Sequence, residues 1–249
     1  MSFENKVVLV TGASSGIGAA IALLFAKEGA DVAMVGRNQL KLDNVAKQCA
    51  KPPLVINADV TKDEDVKRII EQTVQKFGKL DVLVNNAGMA TMGCILDGNL
   101  LKAYDETLDV NLRAVIHITT EATPYLIKSK GNIVNISSIV ALKPPMIPSY
   151  LPYSLSKAAL DHFTKGAALE LSSSGVRVNS VNPGATYSDF IENAGGQGSF
   201  DDFKDMVPLK RISTPEEIAD VVLYLASDKA RGITGSCFVS DNGGALLSA

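Results

Sequence analysis

The sequence predicts an α/β fold built on a doubly wound parallel sheet of about seven strands, with helices on both faces. Three observations carry this expectation. Strand-like and helix-like segments alternate along all 249 residues. A glycine-rich turn stands between the first strand and the first helix. No change of composition, repeat or linker divides the chain, so residues 1–249 are expected to form one domain.

The first strand, 7–10, lies in a continuous apolar run rich in β-branched valine, as a strand buried on both faces should. A good helix former follows from residue 19 and stops at Gly29. Further strands are expected at 31–35, 53–57, 82–85, 131–137, 177–182 and 236–239. Helices between them are expected to include 63–77, 108–128, 153–173 and 215–226. The last of these has a strong start signal: Thr214 as cap, Pro215 at the first position, and Glu216 and Glu217 in the first turn. Residues 186–210 break the alternation. They are rich in glycine and acids without a clear period.

The order strand, glycine turn, helix, strand is the setting in which a glycine motif reads as a dinucleotide site. Gly12 would permit the tight turn, Gly16 the approach of backbone to a pyrophosphate, and Gly18 close packing of helix on sheet. The helix N-terminus would then present free N–H groups and positive dipole to the phosphates. At the end of the second strand, a carboxylate would bind the ribose 2′-hydroxyl of NAD(H). Here Gly36 takes that place and Arg37 follows. Arginine can grip a phosphate in a bidentate contact, so NADP(H) is the expected cofactor.

Tyr153 and Lys157 stand four residues apart and would share one face of a helix, with Ser138 upstream. That spacing lets the lysine ammonium favour the ionised phenol and lower its pKa from ~10 toward the working pH, as a general acid/base requires. The pair offers a proton to a carbonyl or accepts one from an alcohol. Tyr150 is a competing tyrosine, but the position four beyond it is Ser154.

Composition excludes other classes. The charge is nearly balanced, with 24 basic and 27 acidic residues, and no basic stripe points to a nucleic acid partner. The longest apolar runs are too short to span a bilayer, and the start lacks a signal-peptide pattern, so a cytoplasmic protein is expected. Cys49, Cys94 and Cys237 have no paired spacing and read as reduced thiols, with no metal site expected. His117 and His162 are isolated and read as structural.

With these features the chain resembles the short-chain dehydrogenase/reductase family, in its NADP(H)-preferring form, from Lys6 to about Gly244. The motifs follow in that family's order: TGASSGIG at 11–18, Asp59-Val60, NNAG at 85–88, Asn111, Ser138, YSLSK at 153–157, and NPG at 182–184. The resemblance implies a Rossmann-like sheet in the strand order 3-2-1-4-5-6-7. It implies Tyr153 as proton donor/acceptor, with Lys157 holding the nicotinamide ribose and depressing the Tyr153 pKa. Ser138 would bind the substrate oxygen. Asn111 would keep a water in a proton relay leading to Lys157. Asp59 and Val60 would flank the adenine, with Asn86, Ala87 and Gly88 beside the adenosine half. Pro183, Gly184 and Thr186 would line the nicotinamide side, and Ser14, Ser15 and Ile17 would complete the glycine turn. Ser188 stands where the family has threonine and keeps the hydroxyl.

A second departure from the family is a Pro-rich insertion of about two residues between Ser138 and Tyr153, expected to bulge as a loop. The resemblance also implies a substrate lid at 186–210. Apolar residues of this lid (Phe190, Ile191, Phe200, Phe203, Met206) and of the bulge (Pro145, Met146, Ile147, Leu151) point to a free apolar ketone or aldehyde: a steroid, retinoid, isoprenoid or xenobiotic. Reduction of a 3-oxoacyl group on acyl-carrier protein is the alternative. It is placed second because the turn Ser172-Ser173-Ser174-Gly175 lacks the base an acidic carrier would want, although Lys128 and Lys130 precede the fifth strand. A non-catalytic NADP(H)-binding sensor is the alternative of another class. A homotetramer is expected through helices 108–128 and 153–173, with a dimer as the alternative, and the apolar tail 245–249 would lie in such an interface or fray.

Overall fold

The computed structural model describes residues 2–194 and 199–247. Seven parallel strands form one sheet in the order β3-β2-β1-β4-β5-β6-β7. The strands are β1 (Val7–Thr11), β2 (Asp31–Gly36), β3 (Leu54–Asn57), β4 (Val82–Asn85), β5 (Asn132–Ile136), β6 (Arg177–Pro183) and β7 (Cys237–Ser240). The expected sheet and strand order are thus found.

Alternate residues of β1 feed opposite cores, because successive side chains of a strand point to opposite faces. Val8 and Val10 pack with Ile21, Phe25, Ile218 and Leu225 of α1 (Gly16–Lys27) and α8 (Pro215–Ala226). Val7 and Leu9 pack with Ile69, Ile118, Leu126 and Leu171 of α3 (Asp63–Phe77), α5 (Ala114–Ser129) and α6 (Leu151–Leu171). Burial on both sides is why the strands read as near-continuous apolar runs.

Helix signals behave as their chemistry dictates. The backbone N–H of Thr214 donates to Glu217 Oε2 at 2.8 Å, one half of the capping box that opens α8. Gly78 ends α3 in the left-handed region, at φ 79°.

The expected helix 108–128 is instead three pieces. Helix α4 (Leu100–Leu108) runs into a π-helical turn at Asp109–Arg113, and α5 follows. The wide turn aims the Asn111 side chain into the core. There its Oδ1 accepts from Met89 N at 2.9 Å, and its Nδ2 donates to Met89 O at 2.8 Å and Ser156 Oγ at 3.0 Å. Helix α2 (Gln39–Ala46), which the sequence reading does not assign, forms after β2, with the Asn38 side chain capping it through Lys41 N at 3.0 Å. Helix α6 begins two residues before Tyr153, with Pro152 in its first turn.

The lid region holds a short helix, α7 (Phe190–Asn193), and a 3-10 stretch at Phe200–Met206. Four of its residues, 195–198, lie outside the described residues, as do 248 and 249 of the apolar tail. No helix among the described residues is long and apolar enough to cross a membrane.

Candidate active site

A cavity of about 460 Å³ opens at the C-terminal edge of the sheet, where the chain leaves the paired strands β1 and β4 toward opposite edges, to β2 and to β5. This is the switch point at which doubly wound sheets bind ligands. The glycine turn, Arg37, Asp59, Val60, the 86–88 segment, Ser138, Tyr153, Lys157, Pro183, Gly184, Thr186 and Ser188 all line it.

The nucleotide end is built by close approach. Gly12 adopts φ 66°, in the left-handed region. A Cβ on Gly18 would stand 2.2 Å from the Gly12 carbonyl oxygen. Side chains from neighbouring segments tie the turn down. Thr11 Oγ1 accepts from the backbone N–H of Asn86 and of Ala87, both at 3.0 Å. Asn86 Nδ2 donates to the carbonyls of Thr11 at 2.9 Å and Gly12 at 3.1 Å. Asn86 thus holds the glycine turn to the end of β4. The turn delivers the N-terminus of α1 to the cavity, a cradle suited to a dinucleotide phosphate. Arg37 is exposed on the cavity rim and makes no salt bridge among the described residues. Nearby, Lys41 pairs with Asp189 of the lid at 2.6 Å. Asp189 also hydrogen-bonds Ser15, and both contacts hold its carboxyl below the usual carboxylate range. The lid is thereby pinned to the glycine turn.

At the other end, Tyr153 and Lys157 come from one face of α6, and Ser138 follows β5. The Tyr153 ring is half-buried with its hydroxyl enclosed. Burial pushes the phenol up to about 12, and only the hydrogen bond with Ser138 opposes this. The expectation that Lys157 lowers the Tyr153 pKa fails here. Lys157 Nζ lies 5.5 Å from the ring centroid and donates to Ile136 O at 2.7 Å; among the described residues it makes no hydrogen bond to the phenol oxygen. Burial also acts on the lysine and brings it down to about 8, opposed by Asp161.

Asn111 stands behind the cavity wall rather than in it. A Cβ on Gly88 would lie 3.4 Å from Asn111 Oδ1 and 3.6 Å from Lys157 Nζ, so these three positions adjoin.

The bulge runs from Ser138 through two 3-10 turns, Ile139–Ala141 and Pro148–Tyr150, and α6 keeps its place. Tyr150 lines the cavity 6.4 Å from the Tyr153 ring, and Ser138 hydrogen-bonds Tyr153. Pro145, Met146 and Ile147 line the cavity with Phe190, Phe200, Phe203 and Met206; Leu151 does not. The Phe190 ring packs 5.1 Å from Tyr153 and 6.3 Å from Tyr150.

Several contributors escape sequence reasoning. Ser137 Oγ donates to Lys157 O at 3.2 Å, and Asn182 Nδ2 donates to Ser138 O at 3.1 Å, fixing the backbone on either side of the reacting groups. The NPG motif marks Asn182, but nothing in the sequence pairs it with Ser138. The thiols of Cys49, Cys94 and Cys237 are free. His117 lies 3.4 Å from Asp63 and 3.7 Å from Glu121 on the α3–α5 surface, remote from the cavity. Among the described residues no cluster could hold a metal ion.

Comparison with known proteins agrees with this arrangement. A family model described as enoyl-(acyl carrier protein) reductase matches residues 12–245. A 3-oxoacyl-[acyl-carrier-protein] reductase of Thermotoga maritima is 39% identical over 249 residues, covering 98% of this chain and 99% of the relative. A short-chain dehydrogenase/reductase of unknown function from Caenorhabditis elegans, solved with cofactor, superposes with a TM-score of 0.91 at 38% identity, covering 99% of this chain and 97% of that one. A 3-ketoacyl-(acyl-carrier-protein) reductase from Brucella melitensis, complexed with NADH, gives 0.90 at 32% identity, over 98% of this chain and 100% of that one.

Proposed function

This chain belongs to the short-chain dehydrogenase/reductase family of nicotinamide-dependent oxidoreductases, and we propose that it reduces the keto group of a 3-oxoacyl thioester, carried on acyl-carrier protein, with NADPH. The observation that carries the chemistry is the Tyr153 hydroxyl, hydrogen-bonded to Ser138 in a cavity continuous with the glycine turn. The likeness to a 3-oxoacyl-[acyl-carrier-protein] reductase over nearly the whole chain supports the substrate class. The objection drawn from the base-free turn at 172–175 lapses in the fold. That turn and Lys128 and Lys130 precede β6 and β5, whereas the cavity lies beyond the other ends of those strands.

Gly12, Ser14, Ser15, Gly16, Ile17 and Gly18 would hold the cofactor phosphates, Arg37 the 2′-phosphate, and Asp59, Val60, Asn86, Ala87 and Gly88 the adenosine half. Pro183, Gly184, Thr186 and Ser188 would line the nicotinamide, and Lys157 the adjoining ribose. When bound, the cofactor supplies the hydride. Ser138 and Tyr153 hold the substrate oxygen, and Tyr153 delivers its proton there as negative charge develops. A phenol held at about 12 is fully protonated at neutral pH, the state a proton donor must start from. Asn111 would keep a water next to Lys157 to return the proton. Phe190 and Phe200 shield the reacting atoms from bulk water.

A second reading, reduction of a free apolar ketone, is favoured by the Phe, Met and Pro side chains that the lid and bulge turn into the cavity. A homotetramer, with a dimer as the alternative, is supported by Leu101, Ile116, Leu155 and Leu169, which stay exposed on α4, α5 and α6.

The test follows NADPH absorbance with acetoacetyl-acyl-carrier protein, and with steroid, quinone and isatin carbonyls, each repeated with NADH. Turnover of the thioester supports the first reading. Turnover confined to free ketones gives the second. Tyr153→Phe should lower turnover at least ~10²-fold while leaving NADPH binding intact. Arg37→Ala should raise KM for NADPH and leave that for NADH nearly unchanged; equal effects would remove the role given to Arg37.

A further inference from the structure

Asp161 is a buried acid for which the hydride-transfer chemistry has no evident use. Only 6% of its surface is exposed. Ser180 Oγ donates to Asp161 Oδ1 at 3.1 Å, and Asn182 Nδ2 donates to Asp161 Oδ2 at 2.6 Å. The same Asn182 Nδ2 reaches Ser138 O at 3.1 Å. The two hydrogen bonds fall on different oxygens, so a carboxylate accepts both where an asparagine has a single acceptor oxygen, and burying that carboxylate is costly unless its charge is matched.

The match lies on the same helix. Asp161 stands four residues beyond Lys157, so the two occupy neighbouring positions on one face of α6. Lys157 is itself only 4% exposed, and its hydrogen-bond acceptor, Ile136 O at 2.7 Å, is neutral. The other titratable groups around the pair are Tyr153 and Lys165 on α6 and the Cys237 thiol on β7. Of these, Tyr153 and Cys237 are neutral in their protonated forms, and Lys165 carries the same sign as Lys157.

We propose that Asp161 is a positioning residue for the reaction: it supplies the countercharge that keeps the buried Lys157 ammonium protonated, and through Asn182 it fixes the Ser138 backbone. This rests on the reading of Lys157 as a cofactor-side cation. Burial alone brings Lys157 down toward neutrality, and the attraction of Asp161 is the influence that opposes it.

The test is the pH profile of carbonyl reduction in Asp161→Asn, with Asp161→Ser as a second neutral variant should the first fail to fold, and Asp161→Glu as the charge-keeping control. Both neutral variants should move the alkaline limb to lower pH by about one pH unit. Turnover should then be near wild type at pH 6 and about fivefold below wild type at pH 8, whereas the glutamate variant should keep the wild-type limb. A loss independent of pH would reduce Asp161 to a structural role and overturn the proposal. Lysine 13Cε NMR, with the Lys157 signal assigned by its absence in Lys157→Met, reads the same effect without turnover. If the Lys157 midpoint does not move in the neutral variants, the proposal fails whatever the activity. If it moves in a protein that reduces no carbonyl, the countercharge stands and the proposed function is at fault.

Discussion

Removing the Phe190 ring should expose the Tyr153 phenol and lower its pKa. The ring lies 5.1 Å from that of Tyr153, and burial holds the phenol at about 12 against an ordinary 10.0. A difference of about two pH units corresponds to about 2.7 kcal/mol of preference for the neutral form. Tyr150, the bulge and Phe190 share the covering of the cavity, so Phe190→Ala should relieve about half, bringing the midpoint down by about one pH unit. The sign for stability follows. A folded value raised above the unfolded one contributes stability that is complete below pH ~10 and is lost as pH rises through ~12. In Phe190→Ala that loss should begin and end earlier. Tyrosine 13Cζ NMR between pH 8 and 11.5 should find Tyr153 still mostly protonated at the top of that range in wild type and half-titrated near pH 11 in Phe190→Ala, with Tyr153→Phe identifying the signal. A wild-type Tyr153 titrating at or below pH 10, or a midpoint unmoved by Phe190→Ala, would refute the reasoning that burial sets this acid.

The buried Lys157 gives a second pH effect of the opposite kind. Its folded value, about 8, is below the ordinary 10.5, so between those values the unfolded chain binds the extra proton and stability rises with pH, by about 3 kcal/mol across the window. This contribution is lost as pH falls through 8. Chemical denaturation of wild type and Lys157→Met at pH 7 and 10.5 should show their difference changing by that amount; a constant difference would contradict it. At the glycine turn, Gly18→Ala places a Cβ 2.2 Å from Gly12 O and 2.3 Å from Asn86 Nδ2. The turn must shift, and calorimetry should find NADPH affinity reduced at least ~10-fold. Wild-type affinity in that variant would mean that the turn does not form the phosphate cradle.

The strands were legible where burial on both faces makes a run apolar and turn chemistry closes it, as at 7–10, while their order came from the family resemblance. The start of α8 was legible because caps act over four residues. The 108–128 segment misled the reading. Its period is helical throughout, and the π turn accompanies the contacts of Asn111 with Met89 and Ser156 in the folded core, which no local period signals. The Tyr153–Lys157 spacing put both side chains on one face of α6, and that face lines the cavity, but the spacing predicted the wrong direction for the phenol. Pairwise charge can be guessed from spacing. Desolvation depends on what covers the group, and here that includes Phe190, 37 residues further along.

By itself, the sequence determined the strands, the glycine turn and the family, because each rests on short-range chemistry: continuous apolar runs, glycine conformations and motif order. Only the tertiary structure decided what joins those pieces into a site. The Asp189 carboxylate pins the lid to Lys41 and Ser15, Asn86 clamps the glycine turn, and Asp161 reaches Ser138 through Asn182. These contacts link residues from 21 to 174 positions apart (Asn182 to Asp161, Asp189 to Ser15), or pass through a residue on another strand. They depend on the packing of α6 and the lid against strand ends, for which no local pattern of residues provides a signal.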